Sequence, residues 1–485
     1  VAETTLAQMR GALRGRDLRR LLAIRLVGQG GDGFFQVALL ASVLAPDQGS
    51  TLVDLFLTGV VTALPFTLLG PFVGVFIDRW PRRSILRFAP LLKAALLPLV
   101  MLGPSRPAAF YLGALAVISV NRFQLSAAGA VVPRLVAADD LLAANSIVTV
   151  GGSLANLVGV FIGGQLAQIT GSPAWSVSIA GICWVVTSWV ASRIGSDLSP
   201  LTLPEAPELL RHQVRRIVAE LGDALRVVAR TPRAVGPITT FTIDQLGQGI
   251  ILTLVLVVFR DEFREGVGSV SNVIGASGVG VIAGIATVGP LVARYRKEWV
   301  VGLAFGLAGG VLIAAGLNLR DWSLFGASFI VGMTFAWKKI PTDTLVQEAL
   351  PDGYRGRVFS LFDMCFNAAR ILAGALALAL VPALGTRGTV IAVGIVFVAC
   401  IPLLARWIRG VPEIELVAAA GGPPHAICWG AVEEPVEVVR AWVEPHDGTP
   451  ASRLRLRLLD GSVLDVREGA EGTWHLDRER EDRGT

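Results

Sequence analysis

The sequence predicts an all-α polytopic membrane protein. Twelve transmembrane helices form two six-helix pseudo-symmetric bundles, and a small C-terminal cytoplasmic β-rich module follows them. Three observations predict this. Of 485 residues, 53% are hydrophobic and 17% are charged, whereas soluble proteins carry about 25% charge. Apolar runs long enough to cross a ~30 Å hydrocarbon core recur along the whole chain. The arginines gather in alternate loops between those runs.

The runs fall at about 21–45, 52–77, 85–103, 108–132, 141–169, 174–193, 233–259, 269–293, 298–318, 322–347, 354–382 and 386–408. The loop at Pro46–Val53 has no Lys or Arg, and those near Arg106, Arg320 and Arg387 have one each. The alternate loops carry Arg79–Arg83, Arg134, Arg294–Lys297 and Arg355–Arg357. This asymmetry predicts a multi-pass protein of the cell (inner or plasma) membrane with both termini in the cytoplasm. Arg10 to Arg20 precede the first run as they would in a signal peptide, but the run continues too far and has no clear cleavage-type ending.

The units are a cytoplasmic segment at 1–20, a first bundle at 21–193, a cytoplasmic linker at 194–232, a second bundle at 233–410 and a tail at 411–485. Within the linker, Leu210, Val214, Ile217, Leu221, Leu225 and Val228 recur at helical spacing beside several arginines. That pattern predicts an amphipathic helix lying on an anionic leaflet. The bundles repeat: Gly31-Asp32-Gly33 is echoed by Gly247-Gln248-Gly249, and the turn after Val132 by the turn after Leu345, at nearly one offset. In the tail, 413–422 reads as a linker. Strand-like pieces follow at Ala426–Val432, Val436–Val443, Arg453–Leu459 and Ser462–Val466, with Asp460-Gly461 as a hairpin signal. The module is too small for a large core of its own, and no partner protein for it can be named.

Between the second and third runs, GVFIDRWPRRSIL at Gly74–Leu86 packs one acid and three arginines into a tight turn. This stretch resembles the loop between helices 2 and 3 of the major facilitator superfamily, roughly G-x-x-x-D-R-x-G-R-R, with Gly74, Asp78, Arg79, Arg82 and Arg83 in place and Pro81 where the family usually has Gly. The resemblance implies a charge cluster at a cytoplasmic gate, with Asp78 near the start of helix 11 and Arg355 and Arg357 close by. Gly159, Gly163 and Gly164 in GVFIGG resemble the end of the family's antiporter motif, with Val160 for its Pro. Small residues also allow close helix packing. With the loop Pro351–Arg357, these features make residues 15–410 look most like the drug- and siderophore-exporting branch.

No nucleophile–base pair, phosphate loop or metal cluster stands out, so the chain reads as neither an enzyme nor a holder of a cofactor or metal. The arginines sit in short loops, which argues against nucleic acid. Four cysteines lack metal or redox spacing. The informative residues are charges inside the spans, which are costly there and face a cavity or a partner. Asp32, with Asp244 and Asp363 as alternatives, is a candidate proton carrier; Asp32 could equally be bridged by Arg25, seven residues earlier. Arg25, Arg122, Gln248, Lys338, Asp343 and Arg370 are candidate cavity residues. Asp363 and Arg370 could bridge each other. Lys338 could pair with Asp343 or Glu348 while Lys339 reaches the interface, or it could join Arg122 in a positive patch for an anionic substrate.

These readings predict a secondary transporter that exports an amphipathic small molecule against proton entry. A flippase for a lipid or lipid-linked anion, and a non-transporting scaffold or sensor acting through the tail, remain the alternatives. The implied partners are a small-molecule or lipid substrate, the proton and membrane lipid.

Overall fold

The structure is a computed structural model. It describes residues 15–44, 52–68, 80–103, 106–137, 140–195, 210–259, 266–350 and 352–408, and six strands between 413 and 480. Its helices are α1 (Arg16–Leu44), α2 (Leu52–Leu68), α3 (Arg82–Met101), α4 (Pro107–Val131), α5 (Leu141–Thr170), α6 (Ala174–Ser192), α7 (Leu210–Arg230), α8 (Pro232–Val257), α9 (Val267–Arg294), α10 (Lys297–Leu317), α11 (Asp321–Glu348) and α12 (Asp352–Ile408). Eight helical stretches among the described residues are long and apolar enough to cross a membrane. One of the eight lies in α12, which Gly385 breaks into two arms at φ 68° and ψ 173°. That conformation suits glycine because a Cβ would be strained there. Three more helices fall short of that standard. Gln29, Asp32 and Gln36 interrupt α1, Lys338 and Lys339 interrupt α11, and α2 is 17 residues long.

Helices α1 to α6 form one bundle and α8 to α12 the other. Two pairs of helices make the main contacts between bundles, α5 with α9 and α2 with α12. If the bundles are repeats, these are the same interface seen twice. The glycine packing repeats as well. Gly31 abuts Trp184 of α6 and Gly247 abuts Phe397 of α12, while Gly33 abuts the α5 backbone and Gly249 the α12 backbone at Arg370.

The apolar cores show where the bundles join. One core draws on both bundles: Leu39, Val43, Phe110 and Val177 from the first, and Val255, Phe259, Val267 and Val270 from the second. It sits at the end of the molecule farthest from the start of α1. There Gln165 of α5 donates to the Gly268 carbonyl (3.1 Å), Ser271 Oγ (3.3 Å) and Asn272 Oδ1 (2.8 Å) of α9. At the opposite end the cores are separate. Leu18, Leu21, Leu86 and Ala144 belong to the first bundle alone, and Phe241, Val346, Val358 and Phe362 to the second. Among the described residues, the apolar cores of the two bundles are therefore joined at one end and separate at the other.

Helix α7 forms as predicted, but its packing differs. Ala224, Val227 and Val228 join the inner core of the second bundle, while Leu225, predicted on the apolar face, is exposed. The tail is a closed six-stranded antiparallel barrel in the order β1 (Glu413–Ala418), β2 (Pro424–Trp429), β3 (Val432–His446), β4 (Thr449–Leu458), β5 (Val463–Glu468) and β6 (Trp474–Arg480). Residues 413–418, predicted as linker, are thus a strand, because β1 closes the barrel between β2 and β6. The core is small, as expected: Leu456 and Val466 are fully buried, with Leu416, Val436, Val438, Leu454 and Trp474 around them. Arg455 holds Asp465 bidentately on the neighbouring strand at 2.7 and 2.8 Å.

Candidate functional site

Each bundle buries an aspartate from its first helix against a lysine and an aromatic ring from its last. In the first bundle the flanking glycines let α1 sink between α5 and α6. A Cβ on Gly31 would stand 3.1 Å from Trp184 Nε1, and one on Gly33 would stand 2.7 Å from the Val160 nitrogen. Asp32 is consequently 5% exposed. Its Oδ1 accepts from Lys93 Nζ at 2.7 Å and from Trp184 Nε1 at 2.9 Å. Lys93 is fully buried, also donates to Asn121 Oδ1 at 3.0 Å, and lies 4.5 Å from the Trp184 ring centroid. An ammonium has three donors, and here they meet a carboxylate, an amide oxygen and a ring face. The predicted Arg25–Asp32 bridge is not the direct contact. Arg25 attracts Asp32 only at longer range, because Lys93 on α3 occupies the carboxylate.

In the second bundle Asp244 and Lys338 form an ion pair in which neither side chain is exposed. Gln245 Nε2 donates to Asp244 Oδ2 at 3.0 Å. Lys338 Nζ lies 5.0 and 4.7 Å from the centroids of Phe305 and Phe397, which meet edge to face. Desolvated contacts of this kind are among the stronger cation–π interactions. The two arrangements are similar without being superimposable. By the glycine packing, Gln248 stands where Asp32 does, and Asp244 lies one turn earlier. The cation comes from the third helix of one bundle and from α11 in the other.

These pairs correct three expectations. Lys338 does not pair with Asp343 or Glu348: Lys339 takes both oxygens of Asp343 at 2.6 Å, and Lys297 takes Glu348. Adjacent helical residues point about 100° apart, which sends Lys338 to Asp244 instead. Lys338 also makes no positive patch with Arg122, since it is sealed in a protein core. Finally, Asp363 and Arg370 do not bridge each other. Asp363 is exposed on α12 and attracts Arg122 of the other bundle, and Arg370 faces a cavity.

That cavity, about 360 Å³, lies within the second bundle, and Leu157 of α5 is its sole wall residue from the first. Gln245 and Gln248 of α8, Ser277 of α9, Ser328 of α11 and Arg370 are its polar lining, and the remaining wall is largely Leu, Ile, Val and Phe. On the first bundle, Arg122 lies over the Phe66 ring at 5.2 Å. The buried Nε atoms of Arg25 and Arg122 and the Oε1 atoms of Gln29 and Gln124 have no hydrogen-bond partner among the described residues.

Of the predicted gate, Asp78 and Arg79 lie outside the described residues, as does the Arg355 side chain. Arg82 is half-buried, Arg83 donates to the Ser192 carbonyl at 2.9 Å, and Arg357 lies over Tyr354. Gly159 and Gly163 bring α5 against α1, and Gly164 brings it against Ser271 of α9, so all three have packing roles. Lys93 was missed as a site residue, although a lone lysine in an apolar run is itself a signal. The Phe305–Phe397 cage left none.

Residues 238–444 match the family model of the Major Facilitator Superfamily. Two relatives, each an "uncharacterized MFS-type transporter", come from Mycobacterium bovis and Mycobacterium tuberculosis. Each is 26% identical over 384 residues, covering 76% of this chain and 85% of its own. Among solved structures, a POT family transporter in complex with 5-aminolevulinic acid aligns with a TM-score of 0.63 at 14% identity, over 81% of this chain and 96% of its own. A bacterial homologue of the lysosomal transporter Spinster, inward-facing and unoccupied, gives 0.61 at 13% identity over 81% and 97%. A bacterial homologue of the iron transporter ferroportin, inward-facing, gives 0.61 at 16% over 81% and 99%. At these identities the likeness is one of fold. The chain is thus similar to the Major Facilitator Superfamily model over residues 238–444 and to two MFS-type transporters over about three quarters of its length, and it shares the fold of solved transporters of that architecture.

Proposed function

We propose that the protein is a secondary active transporter that works by alternating access, with twelve crossings and both termini in the cytoplasm. Its task is export of an amphipathic small molecule, driven by proton entry. The observation that carries the reading is the one-ended junction of the bundles. They share an apolar core and the Gln165 hydrogen bonds at one end, and each keeps its own core and its own buried ion pair. Such bundles can rock as rigid bodies about a site between them. With cytoplasmic termini, the parted end is the inner mouth, and the state is inward-open. The glycine run at Gly159–Gly164, similar to the antiporter motif, supports export. Proteoliposome flux of candidate amphipaths, with and without a pH gradient, tests the whole reading; flux indifferent to the gradient removes proton coupling.

Outward opening requires α5 and α9 to separate where Gln165 meets Asn272. In a background without native cysteines, Gln165→Cys with Asn272→Cys, joined by a short bifunctional thiol reagent, should arrest flux. A reducible linker should restore it on cleavage. Full flux in the linked protein would rule out this motion.

We also assign inner closure to the charged loop around Asp78, which a helix N-terminus near Tyr354 would favour. Asp78→Asn should increase cysteine labelling at the inner mouth and lower flux. Unchanged labelling together with normal flux would remove the gate role.

A lipid-linked anion is the second reading of the substrate. The apolar wall of the second-bundle cavity favours it.

A further inference from the structure

The lysines within the bundles are neutralised: Lys93 by Asp32, Lys338 by Asp244 and Lys339 by Asp343. Arg122 is attracted by Asp363. Arg370 is the exception. It lies in the middle of the first arm of α12 and has no ion pair, hydrogen bond or nearby opposite charge among the described residues. Its side chain is exposed and lines the 360 Å³ cavity. An uncompensated guanidinium inside a membrane domain is costly and marks a ligand or ion path.

From this geometry we infer that the cavity binds an amphipath with one anionic head and a single apolar chain, the head on Arg370 and the chain along the wall. The guanidinium fork matches a carboxylate or phosphate bidentately. Gly249 lets α8 approach α12 so closely that a Cβ there would lie 3.4 Å from the Arg370 Cα. This brings the turn carrying Gln248 beside the cation, where its amide can complete the head site. Beyond it the wall is built from Ile251, Val255, Val273, Ile274, Leu324 and Val331, a surface for hydrocarbon. With Gln248 at the head and Gln245 engaged by Asp244, Ser277 and Ser328 are too few to hydrate a sugar or a nucleoside. The volume is at the lower end of small-molecule pockets, which suits one chain rather than two. An organic cation is disfavoured, because Arg370 would repel it and the lining offers no carboxylate.

The inference rests on the transport reading above for the meaning of the site, and its test reads binding apart from flux. The protein in nanodiscs of zwitterionic lipid is titrated calorimetrically with decanoate, decyl phosphate, decanol and decyltrimethylammonium, which share a chain and differ in the head. The two anions should bind about tenfold or more tighter than decanol, the usual scale of a charge-assisted contact, and the cation should bind weakest. Arg370→Gln should bring the anions down to decanol. Arg370→Lys should keep part of the preference, and thermal unfolding confirms that both variants are folded. Equal affinity for decanoate and decanol in the wild type, or an undiminished anion preference in folded Arg370→Gln, overturns the inference. Adding phosphatidylglycerol to the nanodisc separates the sources of the head: competition with decyl phosphate identifies a membrane lipid, and no competition identifies a free amphipathic acid. Anion-selective binding without flux would remove the transport reading and leave this site standing; flux of other molecules with no anion preference would do the reverse.

Discussion

Lys338→Met is expected to lower the unfolding free energy by about 3–5 kcal/mol, the usual cost of removing one partner from a buried ion pair. The reason is Asp244. With the lysine gone, its carboxylate keeps one amide donor, Gln245, in a site with no exposed surface. The escape is to take up a proton, which for a carboxylic acid of ordinary acidity costs about 4 kcal/mol at pH 7, so the deficit cannot grow far beyond that. Asp244→Asn should destabilise by a similar amount, leaving the ammonium with the rings and no counter-charge. The double variant Lys338→Met with Asp244→Leu should recover most of the loss, because replacing a buried pair by apolar residues of similar size is often neutral. Unfolding in mixed micelles of mild and denaturing detergent, run as a double-mutant cycle, measures all four proteins. A double variant as unstable as the sum of the singles would mean that the pair makes no direct contact of consequence.

Much of this architecture was legible in the sequence for one physical reason. A membrane crossing needs about twenty apolar residues, so every described long helix except the amphipathic α7 overlaps a predicted run. The ends were less legible. Helix α1 begins at Arg16 rather than at 21, because Asp17 pairs with Arg20 and accepts from the Gly195 backbone at the end of the bundle. Hydropathy does not register contacts of that kind. The same limit applies to the buried charges. That Asp32, Asp244, Lys338 and Arg370 needed partners or a cavity followed from their cost in a span. Which partner each took did not, since Lys93 is 61 residues from Asp32 and Lys338 is 94 from Asp244. In the tail, alternation revealed the middle strands, where Leu454 and Leu456 alternate with arginines. It hid β1, which runs into an alanine and glycine stretch, and β6, which is crowded with charge. Those two strands are defined by their ladders with β2 and β5, and they close the barrel by pairing with each other across some sixty residues of chain.

Asp32→Asn is expected to abolish export against a gradient while leaving substrate exchange in place. The two buried pairs differ in the respects that a proton carrier requires. Asp244 has no exposed surface, and its lysine is caged by two rings, so nothing in that core can deliver or receive a proton without unpacking it. Asp32 keeps 5% of its surface exposed, and Asn121 offers Lys93 an alternative acceptor at 3.0 Å. Protonating Asp32 would cancel its hold on Lys93 and on the Trp184 N–H, which together tie α1 to α3 and α6. The ammonium could then rest on Asn121 of α4 and the Trp184 ring. A proton at this one carboxylate would thus shift the packing of four helices, the kind of lever that couples a charge to bundle rotation. Asn at position 32 fixes the uncharged state, so the carrier can still exchange substrate but can no longer use the gradient. Asp32→Glu should keep part of the coupling, since it keeps a carboxylate. Lys93→Met should lose both coupling and stability, because it leaves Asp32 buried without its cation. Proteoliposomes with an imposed pH gradient read uphill flux, and counterflow without a gradient reads exchange. Uphill export by Asp32→Asn at the wild-type rate would make the Asp32–Lys93 pair structural, like its counterpart in the second bundle. Coupling would then fall to Asp363, which is exposed and faces Arg122 across the gap between the bundles.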